Sequence, residues 1–271
     1  MNTDAPPSFS SMCREWRQYR KLSQLELALA ADVSQRHVSW LETGRSHPSR
    51  EMVIKLSDAL DIPLRERNVV LQAAGFAPLY QETALDDPRM QSVQQALTQV
   101  LDNHEPLPAV VVDRLWNVRM LNRAGHRLFS LTGDAEAMTQ ALGGEGINLA
   151  LLTLHPDGLR KFISNWDEAA PAFVRRLQIE AMATGDSKMR EQLQRLTELT
   201  GDLPVGNAMP TELLPVLPLT LSIGELSLSL FSVISTFGTP QDITTDELRI
   251  EAFYPSDEIT KAFFRDAGQP Q

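Results

Sequence analysis

Residues 23–44 read SQLELALAADVSQRHVSWLETG, and this stretch decides how the first part of the chain folds. Ser23 is a favourable helix N-cap, and apolar residues then recur at helical spacing until the pattern breaks at Asp32. Ser34 can cap a second helix, which carries Val38 on its inner side. The spacing therefore predicts two short helices joined by a three-residue turn.

The outer face of the second predicted helix carries polar groups that suit DNA. It presents Gln35, Arg36, Ser39 and Trp40. Gln can pair with adenine and Arg with guanine through two hydrogen bonds in the major groove, so this helix is predicted to read DNA. A solvated helix face is the alternative for Gln35 and Arg36. Trp40 suits DNA contact and packing on a helix or a partner subunit equally well.

The same stretch resembles the DNA-binding domains of the Cro/C1 (XRE) family of bacterial and phage repressors. The family pattern is present as Ser23-Gln24, Leu27-Ala28, Val33-Ser34 and Glu42-Thr43-Gly44. Asp32 stands where the family usually has glycine. Asp tolerates the left-handed backbone region better than most residues, so the turn is expected to form.

This resemblance implies a five-helix, λ-repressor-like domain that binds double-stranded DNA as a homodimer. It also implies that Arg17 pairs with Glu42 and locks the recognition helix onto the first helix. Gln24 is expected to contact phosphate and set the register. The candidate DNA-binding residues are Gln24, Ser34, Gln35, Arg36, Ser39, Trp40 and Arg45.

Further helices are predicted on either side of this motif from capping signals and apolar periodicity. One spans Phe9 to Arg20, Ser49 caps another from Arg50 to Leu60, and a fifth opens at Pro63 and ends at Gly75. Pro78 to Pro88 is interpreted as a linker. The chain is therefore predicted to be multidomain, with an all-α domain at 1–81 and a second domain at 82–271.

Charge is distributed unevenly between these two parts. The net charge of the 271 residues is −10, yet residues 1–81 hold 10 Lys/Arg against 9 Asp/Glu, and residues 82–271 hold 15 against 26. An acidic domain binds neither the phosphates of DNA nor an anionic membrane, because like charges repel. DNA contact is thus expected at a local face that contains Arg36, Arg45 and Arg50.

Composition argues against several other classes of protein. The single cysteine, Cys13, excludes an internal disulfide framework and fits a reducing cytoplasm. The five histidines lack paired metal-ligand spacing, and no nucleophile elbow or phosphate-binding loop is present. No apolar run approaches the ~20 residues of a membrane helix. We therefore expect a cytoplasmic protein that is not an enzyme and has no metal, cofactor or membrane partner.

The second part alternates between strand and helix signals. A hairpin is predicted from Ala109–Val112 and a second run from Trp116 to Leu121. Helices follow, capped by Asn122 and Asn148 among others, and then three strands near residues 217–221, 226–233 and 248–252. Pro215 and Pro218 favour an edge position for the first of these. The apolar phase of the second of these strands changes at Phe231 and Val233, which predicts a bulge or a strand buried on both faces. Ser256 is predicted to cap the last helix. The order predicts an α+β domain with an antiparallel sheet.

The segment PAVVVDRLWNVRMLNRAGHRLF, residues 108–129, resembles the opening of the MmyB-like ligand-binding domain. Pro108, Val111, Asp113, Arg114, Trp116, Val118, Asn122, Ala124, Leu128 and Phe129 match its core pattern. Further on, Leu221-Ser222-Ile223-Gly224 lacks the family's usual His and Pro. The resemblance implies a PAS-like sheet with an apolar cavity for a fatty-acid-like ligand, joined to an XRE-type helix-turn-helix.

The candidate ligand-binding residues are Val112, Trp116, Leu121, Asn122, Phe129, Leu151, Arg176 and Leu228. Ordinary core packing explains Trp116 and Phe129 as well, and Arg176 could hold a ligand carboxylate or lie on a solvated helix face. Two alternatives stay open for the domain: a dimerisation or protein-interaction module with a filled core, and a PAS-like fold that holds haem or flavin.

Overall fold

The computed structural model describes residues 7–184, 187–200 and 216–267. The chain forms two compact units, each with its own hydrophobic core. The N-terminal unit comprises the chain up to Thr83 together with Pro240–Asp246. The C-terminal unit comprises Ala84–Thr239 and the chain from Glu247 onward.

Five short helices make up most of the N-terminal unit. They are α1 Phe9–Tyr19, α2 Gln24–Ala30, α3 Gln35–Glu42, α4 Arg50–Ala59 and α5 Leu64–Ala73. Serine hydroxyls cap the first four helices, and Ser23 also forms a reciprocal capping box with Glu26 at the start of α2. Because each cap satisfies backbone donors that no helical carbonyl reaches, helix starts follow local sequence closely. The predicted five-helix fold is confirmed.

The fifth helix receives its cap from a distant part of the chain. Its N-cap residue, Pro63, makes no side-chain cap hydrogen bond. The Asp246 carboxylate accepts from the backbone N–H of Leu64 at 3.0 Å. Nearby, Thr83 donates its hydroxyl hydrogen to Asp242 at 2.6 Å, and the N–H of Ile243 donates to the carbonyl of Gln81 at 2.8 Å. Pro240–Asp246 is therefore an integral part of the N-terminal unit.

We expect Asp246→Ala to cost about 1 kcal/mol of stability in α5, the usual cost of a lost N-cap. Hydrogen exchange of the α5 amides in the full-length protein measures this as faster exchange in the first turn. Asp246→Asn keeps an acceptor oxygen at the same place and should exchange close to the wild-type rate. Equal protection in Asp246→Ala and the wild type would contradict the capping role.

The C-terminal unit is built on a five-stranded antiparallel sheet in the order β2-β1-β5-β4-β3. Its strands are β1 Ala109–Val112, β2 Val118–Leu121, β3 Leu219–Ile223, β4 Leu226–Ser235 and β5 Arg249–Pro255. The predicted hairpin and α+β architecture are confirmed. β3 lies at a sheet edge, as the prolines before it indicated; Pro215 itself lies outside the described residues.

Helices surround this sheet and complete its core. They are α6 Gln91–Asn103, α7 Arg123–Ser130, α8 Ala135–Ala141, α9 Leu149–Leu154, α10 Trp166–Thr184, α11 Ser187–Thr200 and α13 Glu258–Ala267. The short helix α12, Ile243–Glu247, falls mostly in the N-terminal unit. Short 3-10 turns precede α6 and α10. The sheet packs its apolar residues against α7, α9 and α10, among others.

Three local predictions differ from the observed structure. The second strand begins at Val118 because Trp116 has a φ of +65°, a left-handed conformation that interrupts an extended run. β4 pairs without any register shift, so the predicted bulge or doubly buried strand at Phe231–Val233 is wrong, and Val233 is exposed. The last helix is capped by Asp257, which accepts from the N–H of Thr260 at 2.7 Å, and not by Ser256.

Candidate DNA interface and ligand cavity

The turn between α2 and α3 sets the direction of the candidate recognition helix. Asp32 has a φ of +45°, which confirms the predicted left-handed turn. Ser34 then caps α3 by accepting from the N–H of His37 at 3.2 Å. Val38 and Leu41 are fully buried on the inner side of α3, so the opposite side of the helix faces outward.

That outward side holds the residues expected to read DNA. Gln35 and Arg36 are exposed, Ser39 is half-buried, and Trp40 is 37% exposed. The guanidinium carbon of Arg36 lies 4.5 Å from the centre of the Trp40 ring. A cation over an aromatic face is attracted to it, so Trp40 restrains Arg36 one turn before it. Within the described residues no carboxylate pairs with Arg36, which leaves its charge available.

Two further arginines extend the exposed basic character near α3. Arg45 follows α3 and is exposed, with its N–H donating to the carbonyl of Trp40 at 2.9 Å. Arg50 is exposed at the start of α4. Gly44 has a φ of +71°, which lets the chain leave α3 sharply. That Arg36, Arg45 and Arg50 form one face that contacts DNA stays a prediction.

A buried ion pair fixes α3 to α1. Arg17 donates from Nε to Glu42 Oε1 at 2.6 Å and from Nη2 to Oε2 at 3.0 Å, which confirms the predicted pair. Gln24 donates from Nε2 to Glu42 Oε2 at 2.8 Å. Burial disfavours the charge of Glu42, but the hydrogen bonds from Arg17 and Gln24 outweigh it and hold the pKa of Glu42 below its usual range. Gln24 thus helps to hold α3 in place, and its expected contact with phosphate stays a prediction.

Cys13 lies beside this pair and is buried. Burial in apolar surroundings, together with the charge of Glu42, raises the pKa of the thiol to about 12. Because the thiolate is the reactive form, this cysteine is a core residue and not a nucleophile.

The C-terminal unit encloses a cavity of about 250 Å³. Its wall comes from α7, α9, α10, β3, β4 and β5, together with the 3-10 turn before α10. Most lining side chains are apolar, including Phe129, Trp166, Phe173, Leu230 and Phe253. The arrangement suits a small apolar molecule, because ligand sites are concave, largely apolar and bear few polar groups.

The eight candidate ligand-binding residues fall into two sets. Phe129 and Arg176 line the cavity. The other six lie outside its wall: Val112, Trp116, Leu121, Asn122, Leu151 and Leu228. Of these, Val112 and Leu228 are core residues, and Leu121 and Leu151 pack against the core.

Asn122 and Trp116 have hydrogen-bonding roles of their own. Asn122 accepts from the N–H groups of Ala109 and Gly125 and donates to the carbonyls of Leu101 and Leu107, so its amide is fully used inside the fold. Trp116 donates from Nε1 to Glu180 at 3.2 Å.

Sequence reasoning identified Arg176 on α10 but missed the apolar part of the α10 wall and the acidic partner of Arg176. In α10, Ala169 and Ala170 lie between Trp166 and Phe173, and all four line the cavity. Two alanines flanked by aromatics at helical spacing leave room beside the helix, which is a recognisable local signal. Glu251 on β5 also lines the cavity. It gave no such signal, because its position depends on strand pairing.

Neither a metal site nor a membrane span is evident in the described parts of the chain. No group of three or more metal-ligating side chains occurs there. None of the helices described combines the length and the apolar character that crossing a bilayer requires.

Comparison with known families assigns both units. Residues 14–67 match the helix-turn-helix family model, and residues 93–267 match the model of the MmyB-like transcription regulator ligand binding domain. Together they define a helix-turn-helix transcription regulator with a ligand-binding domain. The chain belongs to the family of MmyB-like transcription regulators.

Solved structures provide more distant likenesses. The restriction-modification controller protein C.AhdI from Aeromonas hydrophila is 36% identical over 22% of this chain and 89% of its own, with a TM-score of 0.21. An RNA-binding light-oxygen-voltage receptor is 13% identical over 96% of this chain and 62% of its own, with a TM-score of 0.27. No curated protein matches the chain.

Proposed function

We propose that the protein binds an operator in double-stranded DNA through the outer face of α3 and changes its DNA affinity when a small hydrophobic molecule occupies the C-terminal cavity. The ligand is an elongated apolar molecule with one polar end, of which a fatty acid is the simplest example. The cavity is the observation that carries this proposal, because it offers an apolar space of about 250 Å³ with few polar groups.

The DNA half of the proposal rests on the arrangement around α3. Gln35 and Arg36 are exposed at the first turn, next to Trp40. Recognition helices contact base edges mainly through their N-terminal residues, and dimers read two half-sites about one helical turn, ~34 Å, apart. We therefore propose a homodimer on a two-fold symmetric operator. We also propose that the protein acts in the cytoplasm, where an operator in DNA is accessible to it.

A dimerisation or interaction module with a filled core is the competing function for the C-terminal unit. Protein interiors are normally packed to the density of organic crystals, and voids larger than a water molecule are few. A cavity of about 250 Å³ lined by Phe129, Phe173 and Arg176 does not fit a filled core. This observation favours the ligand-binding function.

The test is the affinity of the full-length protein for its operator with and without a saturating amphiphile. A genomic binding map supplies the operator, and decanoate and decanol are added separately. A regulating ligand should shift affinity roughly 5–150-fold, the usual range of allosteric coupling. A ligand that binds without shifting affinity would contradict the regulatory proposal, because only differential affinity for two states moves an equilibrium.

We expect Ala170→Phe to abolish this shift. Ala170 is buried and lines the cavity, so a phenyl ring there occupies the space the ligand needs. Ala137→Phe makes the same change at an exposed position of α8 away from the cavity and should respond as the wild type does. Thermal unfolding of both variants checks that each is folded. An unchanged response in a folded Ala170→Phe protein would place the ligand elsewhere.

A further inference from the structure

The cavity contains an ion pair within a mostly apolar wall. Among the lining residues in the described part of the chain, only Arg176 and Glu251 carry charge. Arg176 Nη1 donates to Glu251 Oε1 at 3.1 Å. The Glu251 side chain is only 5% exposed. This pair is therefore the natural place for the polar end of a ligand.

Neighbouring groups hold the guanidinium of Arg176 in one orientation. Its Nε donates to Glu180 Oε1 at 3.2 Å, one turn further along α10. Glu180 Oε2 in turn accepts from Trp116 Nε1 at 3.2 Å. The Arg176 guanidinium carbon also lies 4.4 Å from the centre of the Trp116 ring. Arg176 is therefore paired with two carboxylates, those of Glu180 and Glu251.

Two atoms of the pair lack hydrogen-bond partners. Arg176 Nη2 and Glu251 Oε2 are both buried and unpartnered among the described residues. A buried polar atom without a hydrogen-bond partner costs free energy, and such atoms are rare in native structures. Thr132 and Thr153, which also line the cavity, donate their hydroxyl hydrogens to carbonyls of their own helical turns. Neither hydroxyl is a hydrogen-bond partner of Arg176 Nη2 or Glu251 Oε2.

The two unpartnered atoms, Arg176 Nη2 and Glu251 Oε2, define the hydrogen-bonding groups that the polar end of a ligand must carry. Nη2 is a donor and needs an acceptor, whereas Oε2 is an acceptor and needs a donor. A carboxylate offers only acceptors and brings its charge to Glu251. An ammonium group offers only donors and brings its charge to Arg176. A primary amide or an alcohol supplies one of each and adds no charge.

We infer that the cavity selects a ligand whose polar end is neutral and both donates and accepts hydrogen bonds, such as a fatty amide or alcohol, over the corresponding carboxylate. This inference rests on the proposed function, since it specifies the head group of the hydrophobic ligand. The volume of about 250 Å³ points to a medium-length chain, because a cavity of roughly 150 Å³ already accommodates benzene.

Four probes of equal chain length test the inference: decanamide, decanol, decanoate and decylamine. Their dissociation constants for the full-length protein are measured by calorimetry at about pH 8, where a carboxylic acid is ionised. Decanamide and decanol should each bind roughly tenfold or more tighter than decanoate and decylamine, the ratio expected when a charged buried group is left unmatched.

Glu251→Gln should reverse this preference. The glutamine oxygen can still accept from Arg176 Nη1, while its amide nitrogen replaces Oε2 and turns an acceptor into a donor. Decanoate then meets two donors and should overtake decanamide. Glu180→Gln removes the same charge from a residue that does not line the cavity, and decanamide should remain preferred in this control. Unfolding curves establish that each variant is folded.

The outcomes separate this inference from the proposed function. Tight binding of decanoate relative to decanamide in the wild type overturns the head-group inference and leaves a hydrophobic ligand in place. Failure of all four probes to bind overturns both. If decanoate binds more tightly than decanamide in both Glu180→Gln and Glu251→Gln, the preference depends on overall charge. This result would overturn the specific role of Glu251 Oε2. If Glu251→Gln does not fold, the ranking of the probes on the wild type decides alone.

Discussion

Glu42→Ala is expected to lower the free energy of unfolding of the N-terminal unit by roughly 3–5 kcal/mol, the usual cost of stranding one member of a buried ion pair. The Glu42 side chain is 3% exposed and that of Arg17 is 12% exposed. The substitution leaves the Arg17 guanidinium without its bidentate partner and also removes the acceptor of Gln24. Chemical unfolding of the full-length protein measures the loss.

Two comparisons isolate the contribution of the pair. Glu15→Ala removes an exposed carboxylate from the adjacent helix and should change stability by no more than about 0.5 kcal/mol. Replacing both partners, as Arg17→Met with Glu42→Leu, should cost less than Glu42→Ala alone, because no buried charge is then stranded. A Glu42→Ala protein as stable as Glu15→Ala would show that the pair does not hold α3 to α1.

The stabilisation by Glu42 should also depend on pH in a defined direction. Its pKa in the folded protein lies below the usual value. Its contribution is therefore complete above the unfolded-state pKa of about 4.3 and is lost as the pH falls through the lower folded-state value. The stability difference between the wild type and Glu42→Ala should accordingly narrow in acid. If the stability difference between the wild type and Glu42→Ala stayed constant as the pH fell below the pKa of Glu42, the proposed pH dependence would be wrong.

Arg36→Ala is expected to weaken operator binding by about 1–3 kcal/mol, or roughly 5–150-fold, through loss of a contact to a base edge. Gln35→Ala should have an effect of the same size. Binding to unrelated DNA should change much less in the Gln35 variant, because its side chain carries no charge to exchange for counterions. Fluorescence anisotropy at fixed salt, on operator and on scrambled duplexes, measures both.

Lysine at position 36 provides the matched control for charge. Arg36→Lys retains the positive charge but loses the planar fork that contacts guanine bidentately. It should bind scrambled DNA as the wild type does and discriminate the operator less well. If Arg36→Ala and Gln35→Ala both bind the operator with wild-type affinity, another surface reads the DNA.

The parts of the fold that follow from nearby residues could be predicted from the sequence. Ser23, Ser34 and Asn148 each cap a helix that starts where the sequence indicated, because a cap needs only the next three residues. The same locality explains why Asp32 was expected to adopt a left-handed turn. The five-helix order and the antiparallel sheet emerged from such short-range signals.

The parts of the fold that depend on residues distant in the sequence could not be predicted from it. Glu251 meets Arg176 across 75 residues, and only the pairing of β5 with its neighbours decides which side of the sheet Glu251 occupies. Trp116 belongs to a match with a ligand-binding family, yet its left-handed backbone turns its ring toward Arg176 and Glu180. Candidate wall residues chosen by strand and helix position alone therefore fall partly outside the cavity.

The ribosome synthesises the two segments of the N-terminal unit, the chain up to Thr83 and Pro240–Asp246, at widely separated times. Leu64 emerges first, and Asp246, which caps it, is added 182 residues later. At ~5–20 residues per second this interval lasts roughly 10–40 s. β5 begins at Arg249, directly after the capping segment, so the sheet of the C-terminal unit gains its central strand within the same second or so. A nascent chain thus completes its DNA-binding unit only when its ligand-binding unit is also about to close.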